Sequence, residues 1–144
     1  MTVTFFGHSN APSSIESVLE AILTELVQKK DADTFYVGNH GNFDHSVRRT
    51  LSKIKKQYPH ITYAVVLAYL PTEQDPLAPT DYQNTLYPYG IEQIPRRFAI
   101  VWRNKWMIEQ SDTVVTYVKH EGGGAARFKK IAERKGKTII NLCT

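Results

Sequence analysis

Short β-type apolar runs alternate with longer segments of helical periodicity along the whole chain, and this alternation constrains the fold more than any other feature. Five such runs occur, at residues 2–6, 33–37, 61–71, 112–119 and 138–142. Strands that alternate with helices are joined by right-handed crossovers, which make the strands parallel and cover both faces of the sheet with helices. The sequence therefore predicts one three-layer α/β domain over residues 1–144, with a mostly parallel sheet of about five strands.

Local signals predict where the helices begin and end. Ser13 and Glu16 have the spacing of a capping box, which predicts a first helix starting within the segment PSSIE. A basic helix is expected over residues 44–57, because Pro59 prevents its continuation. Two more helices are expected, one over residues 102–112 (WRNKWMIEQSD) and one after the glycine run GGG.

The connection between the third run and the 102–112 helix is unusually long. Residues 71–98 contain five prolines and several tyrosines. Loops of this length are uncommon in compact domains and usually have a function. The segment is therefore expected to be a lid or binding element, or else to pack against the edge of the domain.

Composition excludes several classes of protein. No apolar run reaches the roughly 20 residues of a membrane helix, and the first residues lack the pattern of a signal peptide. The single cysteine, Cys143, excludes an internal disulfide framework, and the expected location is cytoplasmic. His40, Asp44 and His45 lie close in sequence, but their spacing matches no standard zinc pattern, so no metal is predicted.

The formal net charge of +4 reflects two basic runs, at residues 48–56 and 127–137. Both runs have helical apolar spacing, so their lysines and arginines are expected to point towards water. A solvated helix face explains such a pattern most simply. A surface that faces an anion or a nucleic acid is the alternative.

Three turns rich in glycine and small polar residues follow predicted strands, where open parallel sheets of the Rossmann-like type form their ligand crevice. Glycine lets the backbone approach an anion, and the helix that follows each turn offers unpaired amides. Tight turn geometry is the competing explanation for every one of these glycines. The predicted ligand-binding residues in the turns are Gly7, His8 and Ser9; Gly38, Asn39, Gly41 and Asp44; and Gly122, Gly123, Gly124 and Ala125.

The 102–112 helix places two polar side chains beside its apolar face. Asn104 lies in the row of Ile100 and Ile108, and Arg103 is its neighbour. Burying an amide and a guanidinium is costly without partners, so the pair either anchors a loop or contacts a ligand. In the second case Arg103 would pair with a phosphate and Asn104 with a base or a ribose. Trp106 is expected to pack into the core rather than to stack on a base.

Together these stretches resemble the YpsA-like branch of the SLOG superfamily, which groups the Smf/DprA and LOG proteins. In that branch the first strand ends in Gly-His-Arg, the second precedes Gly-x-x-x-Gly-x-Asp, and a later helix begins Arg-Asn-x-x-Met. The matching positions, in the same order along nearly the whole chain, are Gly7 and His8, then Gly38 with Asp44 in outline, then Arg103, Asn104 and Met107. The branch also has a Gly-Gly-Thr turn. This chain departs from the pattern with Ser9 in place of arginine and with Gly124-Ala125 in place of the threonine.

The resemblance implies a nucleotide or nucleotide-derived ligand and no other cofactor. Aligning the glycine pair of the LOG motif on Gly122 and Gly123 puts Lys129 where the catalytic glutamate would be, which favours binding or sensing over turnover. One alternative is an N-glycosidic hydrolase or transferase for nucleoside monophosphates that uses Asp44 or Glu121 as its carboxylate. Another is a single-stranded nucleic-acid binder like DprA, and a homodimer through the helices also stays open.

Overall fold

The computed structural model describes residues 1–70 and 83–143, and in these residues all strands belong to one parallel sheet. The strands are β1 (Thr2–Gly7), β2 (Thr34–Val37), β3 (Thr62–Val66), β4 (Thr85–Leu86), β5 (Thr113–Tyr117) and β6 (Thr138–Asn141). The helices are α1 (Ile15–Lys29), α2 (Gly41–Gln57), α3 (Arg96–Gln110) and α4 (Gly124–Arg134), with a short 3-10 helix at Ile91–Gln93. The predicted three-layer α/β fold is confirmed.

The strand order is β4-β3-β2-β1-β5-β6. From β1 the chain builds the sheet outwards through β2 and β3 to β4, and it then returns to place β5 on the other side of β1. Neighbouring residues across this junction include Gly7 and Tyr117, at the carboxyl ends of the two strands. The order therefore reverses between β1 and β5, and in open parallel sheets this is the place where a ligand crevice forms.

Two apolar cores lie on opposite faces of the sheet, because successive side chains along a strand point to opposite faces. Phe5 of β1 belongs to the core beneath α1 and α2, together with Leu19 and Leu51. Phe6 belongs to the core beneath α3 and α4, where its ring stacks on Phe128 at 5.5 Å between centroids. The helices α3 and α4 thus flank the β1–β5 junction on one face.

The sheet has one strand more than the sequence predicts. Residues 85–86 form β4 beside β3, and the N–H of Leu67 donates to the carbonyl oxygen of Leu86 at 2.8 Å. Two residues are too few to produce a periodic signal, so the sequence alone does not predict this strand. Within the described part of the long apolar run, residues 61–70, the strand covers only Thr62–Val66.

Parts of the 71–98 segment have regular structure. Besides β4 and the 3-10 helix, the segment includes the beginning of α3, which starts at Arg96 directly after Pro95, six residues before the predicted start. Residues 71–82 of this segment lie outside the described residues, so its predicted role as a lid or binding element stays a prediction. Of the described helices, none combines the length and the hydropathy that a membrane span requires.

The first helix begins within the predicted segment PSSIE, but its predicted capping box is wrong, and the predicted beginning of α2 is too late. No side chain caps α1, which starts at Ile15, so Ser13 and Glu16 do not form a capping box. The Glu16 carboxylate instead accepts a hydrogen bond from Ser46 at 3.3 Å and pairs with Arg49 at 3.6 Å, so a contact with α2 replaces the local one. The α2 helix begins at Gly41 rather than at Asp44.

Candidate functional site

A cleft of about 650 Å³ opens at the carboxyl edge of the sheet, at the β1–β5 junction. Its lining comes from the end of β1 and the turn after it, from α3, and from the turn that leads into α4. The predicted site residues that line it are Gly7, His8, Ser9, Asp44, Arg103, Asn104, Gly122, Gly123, Gly124 and Ala125. The structure therefore brings together residues from all three predicted glycine turns.

Close packing explains the glycines of the first two turns. A Cβ atom at Gly7 would lie 2.3 Å from Cγ of the buried Phe43 ring. Gly41 has a φ of +87°, and a Cβ atom there would lie 2.8 Å from Cα of Ser9. The main chain joins the two turns as well, since the N–H of Asn42 donates to the carbonyl oxygen of Ser9 at 2.8 Å. Space thus requires glycine at both positions, and at Gly41 the backbone conformation requires it as well.

Gly38 leaves room for a buried polar cluster. A Cβ atom at this position would lie 2.8 Å from Oδ2 of Asp44 and 3.2 Å from the Arg103 guanidinium. Arg103 itself is only 2% exposed. The second turn is therefore shaped around the guanidinium rather than around an empty space.

Arg103 anchors three parts of the chain. Its Nη1 donates to the carbonyl oxygen of Val66 at 2.9 Å and to Oδ1 of Asn39 at 3.3 Å, and its Nε donates to Oδ1 of Asn104 at 2.8 Å. These bonds connect α3 with the end of β3 and with the turn after β2. These hydrogen bonds offset the free-energy cost of burying a guanidinium, so Arg103 has the partners that its burial requires. The loop-anchoring alternative for Arg103 therefore has direct support.

Asn104 presents a hydrogen-bond donor to the cleft. A guanidinium can only donate, so the amide oxygen must be the atom that faces Arg103, and this fixes the amide orientation. In the described part of the chain the amide nitrogen has no hydrogen-bond acceptor, although Asn104 is only 9% exposed and lines the cleft. The predicted inward placement of Arg103 and Asn104 is confirmed. The two residues differ because Nε and Nη1 of Arg103 already donate to protein acceptors, whereas the amide nitrogen of Asn104 is left to donate to a ligand.

Asp44 lies in the first turn of α2, and the pKa of its carboxyl group is raised. Burial raises its pKa to about 6, against the opposing effects of Arg103, the His40 N–H and Arg48. Its Oδ2 accepts from the backbone N–H of His40, the residue that precedes the helix, at 3.0 Å. Asp44 thus stabilises the start of α2 and also places a titratable group on the cleft lining.

Two histidine rings stack at the edge of the cleft. The rings of His8 and His120 are parallel within 10° and 4.2 Å apart between centroids. Nε2 of His8 accepts from the N–H of Lys119 at 2.9 Å, which leaves the proton of the neutral ring on Nδ1. Burial, His120 and Lys119 all lower the pKa of His8. His120 is missing from the predicted site residues, although its position just after a predicted strand is the signal that could have found it.

The turn before α4 differs from the other two because it is open. Gly123 has a φ of +93°, but a Cβ atom at Gly123 or Gly124 would meet no atom within 4 Å. The nearest atom to a Cβ at Gly122 would be Nδ1 of His120, at 3.9 Å. No side chain caps α4, and in the described residues the N–H groups of Gly124 and Ala125 have no acceptor. Two of these three glycines are therefore not explained by packing or by backbone strain.

The remaining predicted residues lie elsewhere or have other partners. Glu121 lines a separate groove between α3 and α4 instead of the cleft. Lys129 pairs with Glu133 at 3.0 Å. Glu109, which also lines this groove, pairs with Lys135.

Trp106 packs against Tyr36 with 5.3 Å between ring centroids, in agreement with the predicted core role. Across residues 1–70 and 83–143, no three histidine, cysteine, aspartate or glutamate side chains are grouped closely enough to hold a metal ion.

Two of the solved structures that share this fold are DNA processing proteins. DNA processing protein A (DprA) from Streptococcus pneumoniae is 14% identical, with a TM-score of 0.67 over 97% of this chain and 49% of that chain. DprA from Helicobacter pylori, whose structure is described in terms of its single-stranded DNA binding mode, is 16% identical, with a TM-score of 0.65 over 100% of this chain and 66% of that chain. The chain thus spans between about half and two thirds of these proteins. No family model and no curated protein matches the sequence. At such low identity the likeness concerns the fold, and this chain has the fold of the corresponding part of DprA.

Proposed function

We propose that the cleft binds a nucleotide or nucleotide-derived ligand through a phosphate group at the N-terminus of α4. The open glycine turn is the observation that carries this proposal. Gly124 is a helical residue without any packing reason to lack a side chain, and its unpaired N–H lies at the positive end of the helix. A bound phosphate would accept from the amides of the turn.

Each side of the cleft has a distinct role in this proposal. The turn at Gly122–Ala125 holds the phosphate, and the Arg127 side chain, on the same lining, adds a positive charge. Asn104 donates from its amide nitrogen to an acceptor of the base or the ribose. Arg103 holds Asn104 in this orientation and is not itself available for bidentate pairing, because Nε and Nη1 already donate to the protein.

The family assignment belongs to the same proposal. We assign the chain to the SLOG superfamily and, within it, to the YpsA-like branch. The fold shared with DprA supports the superfamily, and the Arg103-Asn104 pair, which lies in the middle of α3 and borders the cleft, supports the branch. Binding or sensing is favoured over turnover because Lys129 occupies the aligned position of the LOG glutamate and pairs with Glu133.

An N-glycosidic hydrolase is the second candidate, and Asp44 is the observation in its favour. A carboxyl group with a pKa of about 6 on the lining of a cleft is suited to proton transfer near neutral pH. Glu121, the other candidate base, does not line the cleft. Release of free base from a nucleoside monophosphate by the wild type, but not by Asp44→Asn, would establish this activity.

A titration with adenosine, guanosine, cytidine and uridine 5′-monophosphates tests the principal proposal. The Gly124→Glu substitution places a carboxylate at the α4 N-terminus, where it suits the helix dipole but repels a phosphate. We expect it to weaken nucleotide binding at least ten-fold while leaving the melting temperature unchanged or higher. Ser17→Glu, in the first turn of α1 and off the cleft lining, adds the same charge as a control. Equal nucleotide affinity in both variants would contradict the proposal.

A further inference from the structure

A second concave surface continues from the cleft along α4. This groove, of about 710 Å³, lies between α3 and α4 and shares Gly123 and Arg127 with the cleft. The phosphate turn therefore stands at the junction of two spaces. A mononucleotide bound within the cleft would leave the groove between α3 and α4 unoccupied.

Positive charge dominates the groove. Its lining contains five cationic side chains and two carboxylates, and one of these carboxylates, Glu109, is already paired with Lys135. Within the described residues no carboxylate pairs with the other cations, which are Lys105, Arg127, Lys130 and Arg134. The uncompensated charge of the groove is therefore positive, with Glu121 the one unpaired acid on its wall.

The cations of α4 form a regular row that leads away from the phosphate turn. Arg127, Lys130 and Arg134 follow one another at spacings of three and four residues, which places them on one side of the helix about one turn, or roughly 5 Å, apart. Lys105 faces them from α3 across the groove. Such a row offers successive positions for negatively charged groups, starting from the amides at Gly123 and Gly124.

We propose that the groove binds a second phosphate group of the ligand, so that the preferred ligand is a dinucleotide or short phosphodiester rather than a mononucleotide. The inference rests on the proposed function, because the first phosphate occupies the turn. The second phosphate lies against Lys130 and Arg134, and Arg127 stands between the two positions. The 3′-extended part of the ligand leaves the cleft past Gly123 and follows α4.

Titration with adenosine 5′-monophosphate and with the dinucleotide pApA, at low and at moderate salt, tests this proposal. We expect wild-type protein to bind pApA at least ten-fold more tightly than the mononucleotide, and Lys130→Gln/Arg134→Gln to remove that difference without changing mononucleotide affinity. Lys29→Gln/Lys30→Gln removes the same net charge at the far end of α1 and serves as the control. The control should bind both probes as the wild type does.

The possible failures are distinguishable. If neither probe binds the wild type, the cleft proposal fails and this one fails with it. If the wild type binds both probes with equal affinity, the cleft proposal survives and the groove proposal is overturned. A rise in affinity that continues with four and eight nucleotides, with a salt dependence that steepens with length, would identify a nucleic-acid strand as the occupant and would also overturn the short ligand.

Discussion

The glycines at the carboxyl edge of the sheet fall into two groups that the sequence cannot distinguish. Gly7, Gly38 and Gly41 belong to an anchored region, in which any side chain would collide with Phe43, Asp44 or Ser9. Gly122–Gly124 belong to an open region, in which no atom lies closer than 3.9 Å to an added Cβ atom. Glycine is thus required by close packing in the anchored region, whereas in the open region it leaves the backbone accessible.

Arg103 accounts for much of this difference. In the anchored region its Nη1 donates to the Val66 carbonyl oxygen at the end of β3 and to Oδ1 of Asn39 in the turn after β2. These polar groups therefore have partners within the protein. The open region has no equivalent anchor, and its first helical amides have no acceptor in the described residues. Unpaired amides beside a cleft are available to a ligand, whereas the paired groups of the anchored region are not.

The largest effect is expected for Gly7→Ala. Its Cβ atom would enter the space of the fully buried Phe43 ring, so this overpacking should lower the free energy of unfolding by about 3 kcal/mol or more. Urea denaturation followed by circular dichroism measures the loss. Phe43→Leu, combined with Gly7→Ala, should recover part of it. If Gly7→Ala were as stable as the wild type, close packing would not require glycine at this position, and Gly7 would not belong to the anchored region.

Arg103→Ala should cost somewhat less, about 2–3 kcal/mol, because it leaves the Val66 carbonyl and the Asn104 amide without their partner. The same denaturation measurement applies. Arg103→Lys keeps the charge but cannot reproduce the geometry of three bonds, so it should recover only part of the stability. If Arg103→Ala left stability intact and abolished only nucleotide binding, Arg103 would be a ligand contact instead of an anchor.

The pH dependence of stability probes the half-buried carboxyl group of Asp44 in the anchored region. Because burial raises the pKa of Asp44 to about 6, the folded protein holds this proton more tightly than the unfolded chain does. The resulting stabilisation is complete below about pH 4 and is lost as the pH rises through 6, an effect on the order of 2 kcal/mol. The difference in unfolding free energy between the wild type and Asp44→Asn, followed from pH 4 to 7, isolates it. A difference that does not vary with pH would mean that Asp44 has an ordinary pKa in the folded protein.

The smallest effect, and of opposite sign, is expected in the open region. Gly124→Ala should raise the unfolding free energy by a few tenths of a kcal/mol to about 1, because alanine is the better helix residue and its methyl group meets no atom. Thermal denaturation detects this change. A loss of stability of the size expected for Gly7→Ala would place Gly124 among the packing glycines and erase the contrast between the two regions.

The fold was predictable because its signals are distributed along the chain. Alternating apolar runs and helical periodicity predict parallel strands and two helical layers, and neither depends on a single contact. The failures concern features decided by tertiary contacts or by very few residues. Glu16 reaches Ser46 and Arg49 of α2 instead of capping α1, and β4 exists only because two residues pair with β3.

The candidate site was predictable by position but not by role. Strand ends indicate which turns border the crevice, and these turns do meet at the β1–β5 junction. Whether Arg103 faces a ligand or the Val66 carbonyl depends on the position of the end of β3 relative to α3. The spacing of residues along α3 does not predict that position. The stacking of His120 on His8 likewise requires the pairing of β5 with β1.

Chemical shifts of the backbone amides during a titration with adenosine or guanosine 5′-monophosphate test the central claim most directly, since they report on both regions at once. The account predicts saturable shifts for Gly123, Gly124 and Ala125 and for the side-chain amide of Asn104, with little change at Gly38 and Gly41. Shifts centred on Gly38 and Gly41, with none at the turn before α4, would contradict it.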